Sequence, residues 1–211
     1  MEATTSDVLS CKKKRHSNNN RSLFGFVNAA HVDPVHEVTE DIEERFLEPH
    51  LKWFSIAMEE LKKGKKESCW SWYLLPTPPY LVRGVEKGSA MNQKYALRGD
   101  LEGHKFLDLV KGAVNTRGNY ISIVTEIRRQ LQSGVSLDEL MGDMDAPKTR
   151  SSLQLFERLA QERQDSELYA VCRDVLRLDN EQREQKLDQQ ERDYDAYIED
   201  LAGCSDLYEM A

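Results

Sequence analysis

Apolar positions recur at helical spacing along most of the chain. From Asp41 to Lys63, Phe54, Ala57, Met58 and Leu61 fall at i, i+3, i+4 and i+7, which places them on one face of a helix. Pro49 is tolerated in a first helical turn and predicts the start there. Gly64 predicts the stop, and Lys62 and Lys63 before it suit the negative end of the helix dipole. A weaker helix is predicted over "YALRGDLEGHKFLDLV", Tyr95 to Val110. Gly99 and Gly103 inside it each cost about 1 kcal/mol against alanine, so they point to close packing or a break. Residues 119 to 134 carry a stripe of Ile121, Val124, Ile127 and Leu131, with Arg128 beside it, and Gly134 ends that helix. Ser136 with Glu139 reads as a capping box opening a short helix over 136–142. Another helix is predicted to begin near Ser151 or Ser152, with Leu155, Phe156 and Leu159 on its buried face. Leu168, Val171, Cys172, Val175 and Leu176 mark the inner face of a helix over 166–180. Beyond it, Tyr194, Tyr197, Ile198 and Leu201 keep helical spacing in a stretch dense in Gln, Asp and Glu, which reads as an extension helix that docks weakly. The segment "PTPPYLVRGVEKGSAMNQ" reads as a loop.

These elements add up to a mainly α chain, a single compact multi-helix domain with a disordered N-terminal tail and an acidic C-terminal extension. Residues 1–22 are polar and read as a disordered basic tail, 23–40 as a docking segment through Phe24 and Phe26, 41–180 as the helical domain and 181–211 as the acidic helical extension.

The 211 residues are 39% hydrophobic and 31% charged, with a formal charge of −8. That apolar content supports one core. The negative charge repels phosphate backbones and anionic lipid, so nucleic acid is not an expected partner. Cys11, Cys69, Cys172 and Cys204 stand singly, which suits reduced thiols and an intracellular, cytoplasmic place. Lys12 to Arg15 form a short basic cluster, read either as a solvated tail or as a nuclear import signal. No apolar run is long enough to span a bilayer, and no signal-peptide pattern opens the chain. His31, His36, Asp33 and Glu37 match no metal-ligand spacing, and no cofactor fingerprint occurs, so neither a metal nor a cofactor is expected. Cys69 has no histidine near it in sequence, and His104 could reach it only through the fold.

Several blocks, in order, resemble the small, mostly helical domain-of-unknown-function family eighteen-ten, whose bacterial members are often mislabelled as calpastatin-like. They are Gly64-Lys65-Lys66 leading into Trp70-x-Trp72, then Tyr95-Ala96, Leu140 to Asp145, and Lys148-x-Arg150-Ser151-Ser152 with Leu155-Phe156. The resemblance covers about residues 42 to 180 and implies the family's helical fold. It implies no reaction, since none is established for the family. The chain departs from the family pattern at Cys69, where a histidine is usual, and at Leu75-Pro76-Thr77, where Phe-Pro-Gln is usual. A glycine-rich turn is replaced by "PPYLVRGVEKGSA".

Two clusters qualify as candidate binding sites. In "GKKESCWSWYLLPTPPYLVRG", residues 64 to 84, Trp70, Trp72 and Tyr73 either fill the core or line a pocket rimmed by Lys65, Lys66 and Arg83. Aromatic faces with cations suit a flat anionic ligand. In "DAPKTRSS", Lys148 and Arg150 precede Ser151 and Ser152, read as the cap of a helix whose free N–H groups would hold an anion. With no catalytic motif present, the first functional expectation is a non-catalytic interaction or scaffold protein with a protein partner. The alternative is a small-molecule binder or hydrolase for a nucleotide-like ligand of phosphate or ADP-ribose type.

Overall fold

The computed structural model describes residues 42–205, with side chains through Ile198. The basic tail, the segment with Phe24 and Phe26, and the histidines at 31 and 36 lie outside the described residues.

Helix α1 runs Ile42–Lys62 and carries Pro49 in its interior. Its start was expected at Pro49. Burial explains the earlier start: Ile42, Phe46 and His50 continue the inner stripe one turn at a time ahead of Ala57 and Leu61. Their packing outweighs the backbone hydrogen bond that proline removes. Gly64, at φ +79°, ends the helix as expected.

After α1, the short helix α2 (Ser71–Leu74) turns the chain. The stretch expected as a loop instead holds an antiparallel hairpin, β1 (Tyr80–Val82) with β2 (Val85–Lys87), and helix α3 (Ala90–Tyr95). Arg83 and Gly84 both have positive φ (53° and 76°), the twist of a two-residue primed turn. The hairpin was hard to read because Tyr80, Leu81, Val82 and Val85 are all exposed, so no buried face imposes alternation. Ser89 caps α3 by accepting from the Asn92 amide.

Helix α4 (Gly99–Asp108) follows within the expected span. A Cβ added at Gly103 would stand 2.4 Å from Cδ1 of Leu159, so this glycine permits a close helix approach. The two-residue strands β3 (Val110–Lys111) and β4 (Val114–Asn115) lead into α5 (Thr116–Gln132). Ser136 and Glu139 complete the expected capping box at α6 (Leu137–Met141).

Helix α7 runs Ala146–Glu162, with Pro147 in its first turn. The expected start at Ser151 is therefore corrected: the proline presets the helical φ, and Ala146, Thr149 and Ser152 are already buried on the inner face. Helix α8 (Ser166–Ser205) is one 40-residue helix, about 60 Å long at 1.5 Å per residue.

Helix α5 packs against α1, α4 and α8, and α7 lies along α8. Phe46, Phe106, Phe156 and Tyr120 form a continuous ring chain between them, with centroids 5.0, 5.4 and 4.3 Å apart in turn. Arg45 is buried in this mainly α body. Its guanidinium donates to Glu102 at 2.7 Å and to the Ala96 carbonyl at 2.9 Å, tying α1 to α4 and to the strap before it. Near the far end of the bundle, Gln182 donates to the Leu131 carbonyl at 2.9 Å. From Arg183 to Ile198 every residue of α8 is exposed. The expected extension helix is present, but the described side chains of its outer half do not dock.

Candidate functional site

The aromatic run divides between core and surface. Trp70 is fully buried, and its Nε1 donates to Glu60 at 2.8 Å. The same carboxylate accepts from the amides of Glu67 (2.9 Å) and Ser68 (3.1 Å) and from the Ser68 hydroxyl at 2.5 Å. Burial alone would raise the Glu60 pKa, but these donors together hold it below the ordinary value. Trp70 is thus a core ring whose polar edge is paid for by a buried acid on α1.

Trp72 and Tyr73 are half-buried. Trp72 donates from Nε1 to Asn92 Oδ1 at 2.6 Å. Tyr73 meets Tyr95 edge-on at 4.7 Å and stacks on Trp53 at 6.3 Å. The Tyr73 backbone is fixed from below: His50 Nε2 donates to its carbonyl at 3.0 Å. Nδ1 of His50 faces the Asn119 amide nitrogen at 3.2 Å and accepts from it. Both ring nitrogens are satisfied in the neutral form, and burial lowers the His50 pKa to about 4.

The two basic clusters meet at one acid. Lys66 Nζ lies 2.5 Å from one Asp145 oxygen, and Lys148 Nζ donates to the other at 2.9 Å. Lys66 also sits over the Trp70 ring at 5.3 Å, and Lys148 over Trp72 at 5.0 Å. Burial would raise the Asp145 pKa, but the two ammonium groups outweigh it and lower it. Two cations share one anion, so the trio carries a net positive charge.

The other candidate residues stand apart. Arg150 turns to α8, making a bidentate pair with Asp179 (2.7 Å for each bond) and a further bond to Asp138 at 3.1 Å. Ser152 is buried, with its hydroxyl 3.1 Å from that of Tyr120. Ser151 is a half-buried residue inside α7 rather than its cap, so no free N–H groups follow it. Lys65 is exposed, and Arg83 is exposed at the hairpin turn. Cys69, expected as a reduced thiol, is disulfide-bonded. Cys172 is free and buried, and burial pushes its pKa up. His104 faces Glu162 across 3.7 Å.

Beside Trp72 lies a shallow, apolar hollow of about 10 Å³, room for about one water, lined by Ser71, Trp72, Leu75, Thr77, Asn92, Tyr95 and Lys148. It joins Trp72 from the first cluster to Lys148 from the second. Sequence reasoning missed Ser71, Asn92, Glu60 and Asp145. Asp145 closes the Leu140–Asp145 block and was within reach; nothing marks the others, because only the fold brings them to these rings.

None of the curated proteins matches the chain significantly. The crystal structure of the conserved hypothetical protein Rv1873 from Mycobacterium tuberculosis is similar over 60% of this chain and 84% of its own, at 23% sequence identity and a TM-score of 0.49. The family described as "Protein of unknown function (DUF1810)" matches residues 40–185. On that match, which takes in every block quoted from the sequence, the chain belongs to the DUF1810 family.

Proposed function

We propose that this chain is a non-catalytic interaction protein, in which residues 41–180 form the folded body and the acidic extension from 181 onward presents a helix to a protein partner. The observation that carries the proposal is the outer half of α8. Leu187, Tyr194, Tyr197 and Ile198 are 64%, 63%, 60% and 44% exposed there. Leu187, Tyr194 and Tyr197 fit a heptad seam, at positions a, a and d. Large apolar side chains grouped on one helix face, rather than scattered, mark a docking surface. Between Glu181 and Ile198 six acidic residues stand against three basic ones. The fitting partner therefore carries an apolar stripe with basic flanks.

The test compares the full chain with a Tyr194→Ser/Ile198→Ser variant as baits, with Leu51→Ser as a control at another exposed apolar position (59%). Proteins held by the parent and by the Leu51 variant, but lost by the double variant, support the reading. An identical set on all three baits refutes it.

The nucleotide-type alternative keeps less support. Arg150 already has two carboxylate partners, and the hollow beside Trp72 encloses only about 10 Å³, room for about one water, against the roughly 300–1,000 Å³ typical of ligand sites. Among the described residues, no helix is long and apolar enough to cross a membrane. We further propose an intracellular, cytoplasmic location, with nuclear import resting on Lys12–Arg15. The disulfide at Cys69 removes the support that single cysteines gave to that location. Imaging of a fluorescent fusion, with and without the Lys12–Arg15 cluster, tests it.

A further inference from the structure

The β1–β2 hairpin carries apolar surface that the described residues leave open. Tyr80, Leu81, Val82 and Val85 are between 40% and 55% exposed. The register sets Tyr80 against Lys87 and Val82 against Val85, so these four side chains share one face. Glu86, opposite Leu81, lies on the other face and is held by Arg98 at 2.8 Å. Large apolar side chains grouped in this way mark a contact surface. A lone pair of three-residue strands is also marginal in water without a further layer. No backbone hydrogen bond joins either strand to another described element. The chain enters the described body beside this hairpin. Arg45, in the first turn of α1, donates to the carbonyls of Lys94 at 3.2 Å and Ala96 at 2.9 Å. Arg98, which holds Glu86, donates to the Gln93 carbonyl at 2.6 Å. One short strap, 93–98, therefore links the start of α1 to β2.

From these observations we propose that residues 23–40 fold back over the outer face of the hairpin, with Phe24 and Phe26 against Tyr80, Val82 and Val85. This contact goes beyond the docking role proposed for α8. The segment leads directly into α1, at the end of the body where the hairpin lies. Extended backbone through Phe24-Gly25-Phe26 puts both rings on one side, matching the apolar face of the hairpin. Charge favours the same pairing. Residues 23–40 hold Asp33, Glu37 and Glu40 and no Lys or Arg. On the hairpin, Arg83 and Lys87 are exposed, while its one acid, Glu86, is taken by Arg98. Phe26 lies sixteen residues ahead of Ile42, an extended reach of about 50 Å, so length does not limit the contact.

The experiment uses the full chain with Tyr80→p-benzoylphenylalanine, a photoreactive ring of similar shape, in an equal mixture of isotopically light and heavy protein. After irradiation, mass spectrometry should find cross-links from position 80 into residues 23–40, each within chains of one isotope. Cross-links that join light to heavy chains identify a second copy as the occupant and overturn the proposal. So do cross-links confined to residues 42–205, or none at all. In a second measurement, Phe24→Ser/Phe26→Ser should speed amide hydrogen exchange over residues 80–87 about tenfold or more, because two rings no longer cover the hairpin. The amides of α5, in the core, serve as the control and should exchange as in the parent. Unchanged exchange over 80–87 overturns the proposal. The cross-link needs no change in residues 23–40, so it decides the question even where the double variant fails to fold.

Discussion

His50 gives the fold a sensitivity to mild acid that can be calculated and measured. Its ring is 1% exposed, and both nitrogens are engaged in the neutral form by the Tyr73 carbonyl and the Asn119 amide. Burial lowers its pKa from 6.5 to about 4. The unfolded chain therefore takes up a proton at His50 as pH falls through 6.5, while the folded chain takes none until about pH 4. Stability from this group is fully present above pH 6.5 and is lost between 6.5 and 4. Each tenfold difference in proton affinity is 1.36 kcal/mol, so the full loss is about 3.4 kcal/mol. At pH 5 it is about 2 kcal/mol by the same linkage. For a domain of this size that lowers the melting temperature by about 4–8 °C. Glu60 and Asp145 have lowered pKa values, so their support is lost only below ordinary carboxylate values and does not overlap the upper part of this window. The assay is urea unfolding followed by tryptophan fluorescence between pH 7 and 5, on the parent and on His50→Gln. Glutamine can donate to Tyr73 and accept from Asn119 without titrating. The parent should lose about 2 kcal/mol more than the variant over that range. Equal pH dependence in the two proteins, or a measured His50 pKa near 6.5, would refute the reasoning.

Three further outcomes test the packing. Arg45→Met should cost about 3–5 kcal/mol in denaturant unfolding, because it strips Glu102 and the Ala96 carbonyl of their buried donor. Gly103→Ala should destabilise by about 1–3 kcal/mol despite alanine's better helix propensity, since the new methyl meets Leu159, which is itself fully buried; a variant that melts higher than the parent would show that the α4–α7 contact yields. Trp70→Ala should cost about 3–5 kcal/mol and Trp72→Ala clearly less, because the first ring is fully buried and the second half-exposed; equal losses in thermal melts would contradict the division of the aromatic run.

The helix-bearing stretches were legible in the sequence because their cause is local. A 3.6-residue repeat of apolar positions makes an amphipathic helix wherever it occurs, and Leu168, Val171, Cys172 and Val175 are buried as their spacing requires. Gly64 and the Ser136–Glu139 box likewise act within a few residues of themselves. The starts of α1 and α7 were not legible. Pro49 and Ser151 carry boundary signals, and tertiary burial of Phe46, His50 and Thr149 overrode them. The hairpin escaped notice because neither face of it is buried. For the candidate site, the sequence supplied the residue types: the rings at 70, 72 and 73 and the cations at 66 and 148. Only the tertiary structure decided that Trp70 goes inside, that Arg150 is taken by Asp179, and that Lys66 and Lys148 converge on Asp145. Those outcomes depend on which helices cross and where, through contacts between residues far apart in the chain. A periodic pattern determines which face of a helix is buried; it does not determine which charge or hydroxyl on another element will face it.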